Sequence, residues 1–282
     1  MRTKRKVHTL QKSLIKERKK GNTIGFVPTM GALHDGHLSL INAANQKCNI
    51  SVCSIFVNPT QFNDPKDLKK YPRNYRKDAA LLRSAHCNYL FYPTVETIYP
   101  SNINTRIEID LEGLDTRMEG AFRPGHFAGV VEVVNRLLEI VQPDYLFMGQ
   151  KDFQQFTIIQ HMLDKLNSKT NLVVCPIMRE QHGLARSSRN ERLDPELRKK
   201  ASIIYSTLKE IQSLIKQKSV GEVIKYGLNK MKIPGFRPEY LEIIDGTTLL
   251  SVKDWNDSDY LVACTAVWAG EIRLIDNIIL KK

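Results

Sequence analysis

Long apolar runs are missing from this sequence, and none approaches the roughly 18 consecutive apolar residues that a membrane-spanning helix needs. The basic N-terminus is not followed after Lys20 by the apolar segment of a secretory signal. Cysteine is scarce as well: the 282 residues include five, an odd number, and no two have the C-x-x-C spacing of a metal or redox site. These absences predict a cytoplasmic protein without membrane contact, whose cysteines are buried free thiols.

Two familiar nucleotide-binding signatures are also missing. The sequence has no G-x-x-x-x-G-K-[ST] loop and no G-x-G-x-x-G turn, so any nucleotide is held in another way. No Ser/His/Asp arrangement or cysteine nucleophile suggests covalent catalysis.

The charged residues are unevenly distributed, although 42% hydrophobic and 26% charged residues are typical of a globular protein. The net charge is +12; residues 1–20 hold nine Lys/Arg against one Glu, and residues 196–240 hold ten against four. Basic tracts of this kind occur in nucleic-acid-binding proteins, so an RNA-binding module is one alternative. No interleaved aromatic residues are available for base stacking, which favours solvated helices and no nucleic-acid partner.

Short apolar segments alternate with longer periodic ones in the first part of the chain. The predicted strands are β-branched or aromatic: Thr23–Val27, Ile50–Val57, Tyr89–Tyr92, Asp144–Met148 and Leu172–Cys175. The predicted helices show apolar periodicity: Leu38–Gln46, Tyr75–Ser84, Phe127–Val141 and Phe153–Leu166. This alternation predicts an α/β fold with a doubly wound parallel sheet, which binds ligands at the carboxyl ends of its strands.

The pattern changes after Cys175. The segment from Pro195 to Lys232 is predicted to form two helices, the first capped by Asp194. Three strands are predicted after them: Glu239–Ile244, Tyr260–Trp268 and Glu271–Leu280. We therefore predict a first domain over residues 1–176 and a smaller α+β domain over residues 177–282.

The stretch "GFVPTMGALHDGHLSL" joins a predicted strand to a predicted helix. Free backbone N–H groups and the positive end of the helix dipole make such a junction an anion site. Gly31 and Gly36 allow the backbone to approach a phosphate closely. His34 and His37 lie three residues apart and can donate imidazole N–H groups to phosphate oxygens from the same side. The stretch therefore predicts a phosphate site.

The same stretch resembles the H-x-G-H signature of the nucleotidyltransferase superfamily, in the form found in the pantothenate synthetase family. Four further stretches are similar to that family in order and spacing: "SIFVNPTQF" from Ser54, "FRPGHFAGVVEVVNRL" from Phe122, "FMGQKDFQQ" from Phe147 and "SSRN" from Ser187. Together the resemblance covers nearly the whole chain.

The resemblance implies a Rossmann-like ATP- and pantoate-binding domain and a C-terminal domain that covers the ATP site. It implies ATP-dependent condensation of pantoate with β-alanine, which gives pantothenate, AMP and pyrophosphate through a pantoyl-adenylate. It also implies a homodimer that uses Mg²⁺, held mainly by the ATP phosphates.

Such a reaction concentrates negative charge on phosphates and needs cations and N–H donors. The predicted catalytic residues are His34, His37 and Lys151, the last as a point charge for the β- and γ-phosphates. By resemblance, Asp152 contacts the ribose hydroxyls, although Asp152 is equally placed to cap the helix from Phe153. The predicted ATP-binding residues are Met30, Gly31, Ala32, Leu33, His34, Asp35, Gly36, His37, Gly149, Gln150, Lys151, Asp152, Met178, Arg186, Ser187, Ser188 and Arg189.

Pantoate and β-alanine require neutral hydrogen-bonding groups, and Gln61 and Gln155 supply amides that both donate and accept. Met30 and Phe62 are candidates for the apolar wall. His126 is compatible with either substrate contact or loop packing.

The chain departs from the family pattern at three positions: Arg186 replaces Met, Gln150 replaces Glu, and Phe153 replaces Tyr. These changes leave the charge-bearing residues in place. A plain nucleotidyltransferase, which would keep the adenylate as product, is a second alternative, but it gives no reason for a pocket built from Gln61 and Gln155.

Overall fold

The structure is a computed structural model that describes residues 1–62, 65–215 and 217–282. The strands in chain order are β1 (Arg2–Lys4), β2 (Ile24–Thr29), β3 (Ile50–Ile55), β4 (Tyr89–Phe91), β5 (Tyr145–Gly149), β6 (Asn171–Cys175), β7 (Phe236–Asp245), β8 (Leu261–Ala269) and β9 (Ile272–Lys281).

The helices are α1 (Val7–Arg18), α2 (Asp35–Lys47), α3 (Pro65–Lys70), α4 (Tyr75–Ser84), α5 (Val95–Ile98), α6 (Glu119–Phe122), α7 (His126–Val141), α8 (Phe153–Lys165), α9 (Pro195–Lys200), α10 (Ser202–Leu214) and α11 (Val220–Met231). Two short 3-10 helices cover Pro59–Gln61 and Ser188–Arg192.

The first six strands form one parallel sheet in the order β1-β4-β3-β2-β5-β6. The prediction of a doubly wound parallel sheet is confirmed. The strand order reverses between β2 and β5, and the carboxyl ends of two such neighbours form the crevice where these sheets bind ligands. Met30 follows β2 and Gly149 ends β5, so both lie at this switch point.

Two elements at the N-terminus were not predicted. Helix α1 buries Leu10 and Leu14, whose spacing of four residues places them on one face. Strand β1 pairs with β4 at the edge of the sheet, and its sequence "RTK" is dominated by basic residues. Charged side chains are common on edge strands because they oppose pairing with other molecules.

Helix α7 packs closely on the loop that carries Gln61. A Cβ atom at Gly129 would lie only 2.6 Å from the backbone oxygen of Thr60 and 3.0 Å from the Gln61 nitrogen. Glycine at this position therefore permits α7 to touch the Thr60–Gln61 backbone, and this contact helps to fix the position of Gln61.

Strands β7, β8 and β9 form an antiparallel sheet in that order, as predicted for an α+β segment. Helices α10 and α11 contribute Ile204, Leu208, Ile211 and Val223 to its core. The region predicted as two helices contains three, because Ala201 separates α9 from α10.

The chain divides into two compact units. The first comprises Met1–Gly149 and Ile158–Cys175, and the second comprises Gln150–Thr157 and Pro176–Lys282. The start of α8 thus clusters with the second unit. The functional boundary between residues 176 and 177 stays a prediction.

In the part of the chain that the structure describes, no helix is long and apolar enough to cross a membrane. All five cysteines lie in that part; each is buried, and none is joined by a disulfide.

Candidate active site

The loop after β2 has an unusual backbone. Gly31 and Ala32 adopt φ values of +84° and +51°, in the left-handed region that residues with a Cβ atom rarely occupy. The side chain of Asp78 stabilises this turn, because its carboxylate accepts hydrogen bonds from the N–H groups of Ala32 (3.0 Å) and Leu33 (2.9 Å). Asp78 is buried. The turn leads directly into α2.

His34 and His37 are fixed at the start of α2 by hydrogen bonds to nearby backbone N–H groups and by contact between their rings. The Nδ1 atom of His34 accepts from the N–H of Gly36 (3.1 Å), and the Nδ1 atom of His37 accepts from the N–H of His34 (3.3 Å). Their ring centroids are 4.2 Å apart. An Nδ1 atom that accepts a hydrogen bond leaves the proton of a neutral ring on Nε2. Both rings are therefore set as Nε2–H donors beside the positive end of the helix dipole.

The structure places the predicted stretch from Met30 to His37 on one continuous turn and helix start at the switch point. Gly149, at the end of β5, belongs to the same unit and the same edge of the sheet. The arrangement supplies imidazole donors at a helix start where a parallel sheet binds anions, whereas the N–H groups of Ala32, Leu33 and Gly36 are used within the turn.

Gln61 lies in a buried polar chain in the first unit. Its Nε2 atom contacts the sulfur of Met30 at 3.1 Å, and its Oε1 atom accepts from the Nδ2 atom of Asn58 at 3.2 Å. Tyr99 donates its hydroxyl to Asn58 Oδ1 (3.0 Å), and burial raises the pKa of Tyr99 to about 12, which keeps that donor protonated. The amide of Gln61 is thus held in one orientation.

His126 makes a packing contact, and the choice between substrate contact and loop packing stays a prediction. Its Nδ1 atom lies 2.8 Å from the backbone oxygen of Gln61, and the residue is buried. His126 begins α7 and helps to hold the Gln61 backbone, whereas Asn58 holds its side-chain amide.

A pocket of about 250 Å³ opens beside Met30 in the first unit. Its walls are largely apolar and include Ile55, Phe56, Val57 and Tyr92, with Asp78 among the polar groups. Gln61, Phe62 and Gln155 are not among the residues that line this pocket. Phe62 was predicted to form part of such a wall, and it stacks edge-on against Tyr71.

The second unit brings together residues that are far apart in the sequence. Lys151, Ser187, Arg189 and Arg273 line one hollow. Three of these side chains are cationic, but Asp276 also lines the hollow, Arg273 is paired with Glu239, and the volume of about 10 Å³ has room for about one water molecule. The structure thereby places the predicted Lys151 beside the predicted Ser187 and Arg189, all within one unit.

Lys151 is close to the start of α8. Its Nζ atom lies 3.3 Å from Asp152 Oδ1, and its side chain is 17% exposed, against 50% for Asp152. Lys151 therefore remains accessible, but much of its stem is covered. Gln155 follows on the first turn of α8 and is half-buried, while Gln150 hydrogen-bonds to Asn277.

The predicted ATP-binding residues Ser188 and Arg189 lie on a short 3-10 helix, Ser188–Arg192, with Ser187 as its cap. Ser187 Oγ accepts from the N–H of Arg189 at 3.2 Å. The buried Asn190 donates to the carbonyl of Ala185 (3.0 Å) and to Glu180 (2.9 Å). The segment thus has regular local structure in place of the irregular loop that its polar sequence suggests.

Glu180 holds this 3-10 helix through its hydrogen bond from Asn190. Arg198 donates to both of its carboxylate oxygens, at 3.1 and 2.8 Å. Burial acts to raise the pKa of Glu180, but the hydrogen bonds from Arg198 and Asn190 outweigh it and lower the pKa below its ordinary value. The carboxylate is therefore ionised in the folded protein. Met178 precedes this region and is 42% exposed, and Arg186 N–H donates to the Met178 carbonyl at 2.8 Å.

Three supporting residues were missed at the sequence level: Asp78, Asn58 and Asn277. Asp78 is 45 residues from Leu33 in the H-x-G-H turn, and nothing near it indicates the contact. Asn58 had a signal, because it stands in the quoted "FVNPTQF" stretch beside Gln61. Asn277 and its neighbour Asp276 form a polar pair between the apolar residues Ile275 and Ile278 of β9.

A resident metal would need a group of acidic or imidazole ligands. Within residues 1–62, 65–215 and 217–282, no group of three or more His, Cys, Asp or Glu is placed to hold a metal ion. The donor set of the chain itself therefore does not fit a protein-bound Mg²⁺ cage.

A doubly wound parallel sheet with this donor-lined helix start at its switch point defines an enzyme of the H-x-G-H nucleotidyltransferase type. Comparisons with known proteins identify the family. The pantoate–β-alanine ligase family matches residues 2–279. The chain belongs to the pantoate–β-alanine ligase family.

Individual relatives agree with this assignment. The chain is 47% identical to the pantothenate synthetase of Bacteroides thetaiotaomicron over 276 residues, which cover 96% of this chain and 97% of the relative. It superposes on the pantothenate synthetase of Thermus thermophilus with a TM-score of 0.92 at 40% identity, with both chains fully covered. A pantoate–β-alanine ligase from Francisella tularensis, solved with "Beta-gamma ATP" and β-alanine, is 34% identical with a TM-score of 0.78 and covers 99% of this chain and 98% of its own.

Proposed function

We propose that His34, His37 and Lys151 carry the pantothenate-forming reaction of this family through a pantoyl-adenylate. The chain is an amide-forming ligase that condenses pantoate with β-alanine and converts ATP into AMP and pyrophosphate. The observation that carries the proposed roles is the paired Nδ1 acceptance of His34 and His37, because it directs both Nε2–H donors away from the turn that holds them.

In the first step, a pantoate carboxylate oxygen attacks the α-phosphorus of ATP. The new O–P bond forms as the bond from that phosphorus to the bridging oxygen breaks, and pyrophosphate leaves with the electron pair. Negative charge grows on the phosphates, where the imidazoles of His34 and His37 donate. Preorganised donors of this kind act without reorganising as the charge develops.

Cationic and hydroxyl side chains are also assigned to the phosphates. Lys151 and Arg189 meet the β- and γ-phosphates, and Ser187 and Ser188 donate hydroxyls to the same oxygens. Asp152 contacts the ribose hydroxyls. Gly149, Gln150, Met178 and Arg186 complete the nucleotide contacts that the family resemblance implies.

Gln61 and Gln155 bind pantoate. The rigid hydrogen bond from Asn58 leaves Gln61 with a fixed amide orientation, which suits a substrate with hydroxyl and carboxylate groups. In the second step the β-alanine amine attacks the acyl carbon, the bond from that carbon to the AMP oxygen breaks, and the amine loses a proton. AMP leaves and the amide remains.

Three further features belong to this proposal. Mg²⁺ arrives with the triphosphate and is held by phosphate oxygens, as is usual for nucleotide enzymes, and no residue of this chain is assigned to it. The protein acts as a homodimer, and it acts in the cytoplasm.

Isotope exchange tests the adenylate. Labelled pyrophosphate should enter ATP when pantoate and Mg²⁺ are present and β-alanine is absent, because the first step is then reversible. Exchange that strictly requires β-alanine would argue for a concerted route. Release of the adenylate as final product in the presence of β-alanine would favour the plain nucleotidyltransferase.

A further inference from the structure

Strand β9 carries two buried polar residues in its centre. Asp276 and Asn277 are 4% and 2% exposed, and apolar residues surround them along the strand. Because neighbouring residues of a strand face opposite sides of the sheet, the two side chains serve different partners. A buried polar pair of this kind needs hydrogen-bond partners to be tolerated.

The Asn277 side chain is bonded to the backbone next to Lys151. Its Nδ2 atom donates to the carbonyl oxygens of Gln150 and Lys151, each at 3.0 Å. Its Oδ1 atom accepts from Gln150 Nε2 at 3.1 Å. A primary amide has two N–H donors, so one side chain satisfies two consecutive carbonyls, which a carboxylate cannot do.

Asp276 holds a different part of the same unit. It forms a two-point ion pair with Arg179, at 2.6 and 3.0 Å, and Arg179 also donates to the carbonyl of Gly183. The backbone of Arg179 forms an isolated antiparallel β-bridge with Ala185, two residues before Ser187. One dipeptide of β9 thus contacts both chain segments that line the cationic hollow.

We propose that Asn277 is a positioning residue for the ligase reaction, and that its amide fixes the Gln150–Lys151 backbone from which the Lys151 side chain reaches the phosphates. The inference rests on the proposed role of Lys151. Asn277 is not assigned a contact with substrate. It acts through the carbonyls of Gln150 and Lys151, which fix where the Lys151 Cα atom lies.

The test uses Asn277→Asp, which keeps the shape and the acceptor but removes both N–H donors. We expect kcat of pantoate-dependent exchange to fall about 10- to 100-fold, since a misplacement of about 1 Å costs up to about 100-fold. The KM for pantoate should stay unchanged. The matched control is Gln212→Glu. Gln212 Nε2 donates to the carbonyl of Ile279, two residues beyond Asn277 in the same strand, at 3.0 Å. This control should lose stability but keep kcat.

A double-mutant cycle with Lys151→Ala separates positioning from general damage. If Asn277 acts through Lys151, the double variant should be no slower than Lys151→Ala alone, because non-additivity marks residues that act as a unit. Multiplying effects, or a wild-type kcat for Asn277→Asp, would overturn the inference while leaving Lys151 in its role. A fully active Lys151→Ala would instead remove the proposed role of Lys151 and this inference with it. If Asn277→Asp does not fold, Asn277→Ser, which keeps at most one donor, is judged by the same outcomes.

Discussion

Asp78 and Leu33 lie far apart in the chain, yet Asp78 Oδ1 accepts a hydrogen bond from the Leu33 N–H at 2.9 Å. The second carboxylate oxygen accepts from Ala32, whose φ of +51° is unfavourable for a residue with a Cβ atom. One buried carboxylate therefore stabilises the turn that sets the direction of α2 and, with it, His34 and His37.

Replacing Asp78 with Asn should weaken this turn. The amide keeps one acceptor and turns an NH₂ donor toward a backbone N–H, so one buried donor loses its partner, at a cost of about 1–3 kcal/mol. We expect a lower free energy of unfolding and a slower pyrophosphate exchange, because the donors at the start of α2 shift.

The control for this variant is Asp144→Asn. Asp144 Oδ2 accepts one hydrogen bond, from the Ile24 N–H at 2.7 Å, at the opposite end of β2. An amide oxygen can still accept that single bond, so exchange should be unaffected. Equal loss of exchange in both variants would show that Asp78 acts only on general stability.

Gln61→Ala should impair the use of pantoate selectively. The variant leaves Asn58 and the pantoate groups without a buried partner, which costs about 1–3 kcal/mol in kcat/KM for pantoate. The KM for ATP should change little. Gln160→Ala is the control, because Gln160 is exposed on α8 and its side chain donates to Asp164 one turn further along the same helix. An unchanged kcat/KM for pantoate in Gln61→Ala would remove Gln61 from the site.

The strand and helix alternation of the first unit was readable from the sequence because each element has its own periodicity. The predicted segments Ile50–Val57 and Tyr75–Ser84 lie on β3 and α4, with small shifts at the ends. Helix α1 is harder to predict, because basic residues surround Leu10 and Leu14 and mask their helical spacing.

The candidate site was readable only in part. The H-x-G-H turn is local, so spacing and chemistry were enough to place its donors. Asp78 supports the H-x-G-H turn and Asn277 supports the Gln150–Lys151 backbone through tertiary contacts with N–H and carbonyl groups, and such contacts leave no pattern in the neighbouring sequence. The sequence therefore indicates which residues carry charge, whereas the residues that hold them in place appear only in the fold.

Lys151→Ala should lower kcat more than it raises the KM for ATP. The charge that Lys151 meets grows as pyrophosphate leaves, so the contact is strongest in the transition state. By analogy with the loss of other preorganised donors, we expect about a 10²- to 10³-fold lower rate. Single-turnover adenylate formation measures this step. Lys165→Ala, at the other end of α8, is the control. A rate near that of the wild type would contradict the assignment of Lys151.

Arg189→Lys should not restore the activity that Arg189→Ala loses. A guanidinium donates to two phosphate oxygens at once, whereas an ammonium acts as a point charge. The measurement is kcat for exchange across the three proteins. Arg192→Lys, an exposed position on the same 3-10 helix, should be neutral. Full recovery in Arg189→Lys would mean that only charge is needed at this position.

Glu180→Gln should make the stability of the protein less dependent on pH in the acid range. The pKa of Glu180 is lowered in the folded state, where burial is outweighed by hydrogen bonds from Arg198 and Asn190. The unfolded chain therefore binds the proton first, below about pH 4.3, and the stabilisation is present above that value and lost as the pH falls through the folded pKa. Urea unfolding at pH 7 and at successively lower pH measures the effect.

Glutamine at position 180 cannot titrate, so the variant should start less stable at pH 7 and lose less stability on acidification than the wild type. Glu196→Gln, at the exposed start of α9, should follow the wild-type curve. A wild-type pH dependence in Glu180→Gln would show that Glu180 does not stabilise the Ser187–Arg192 segment through its charge.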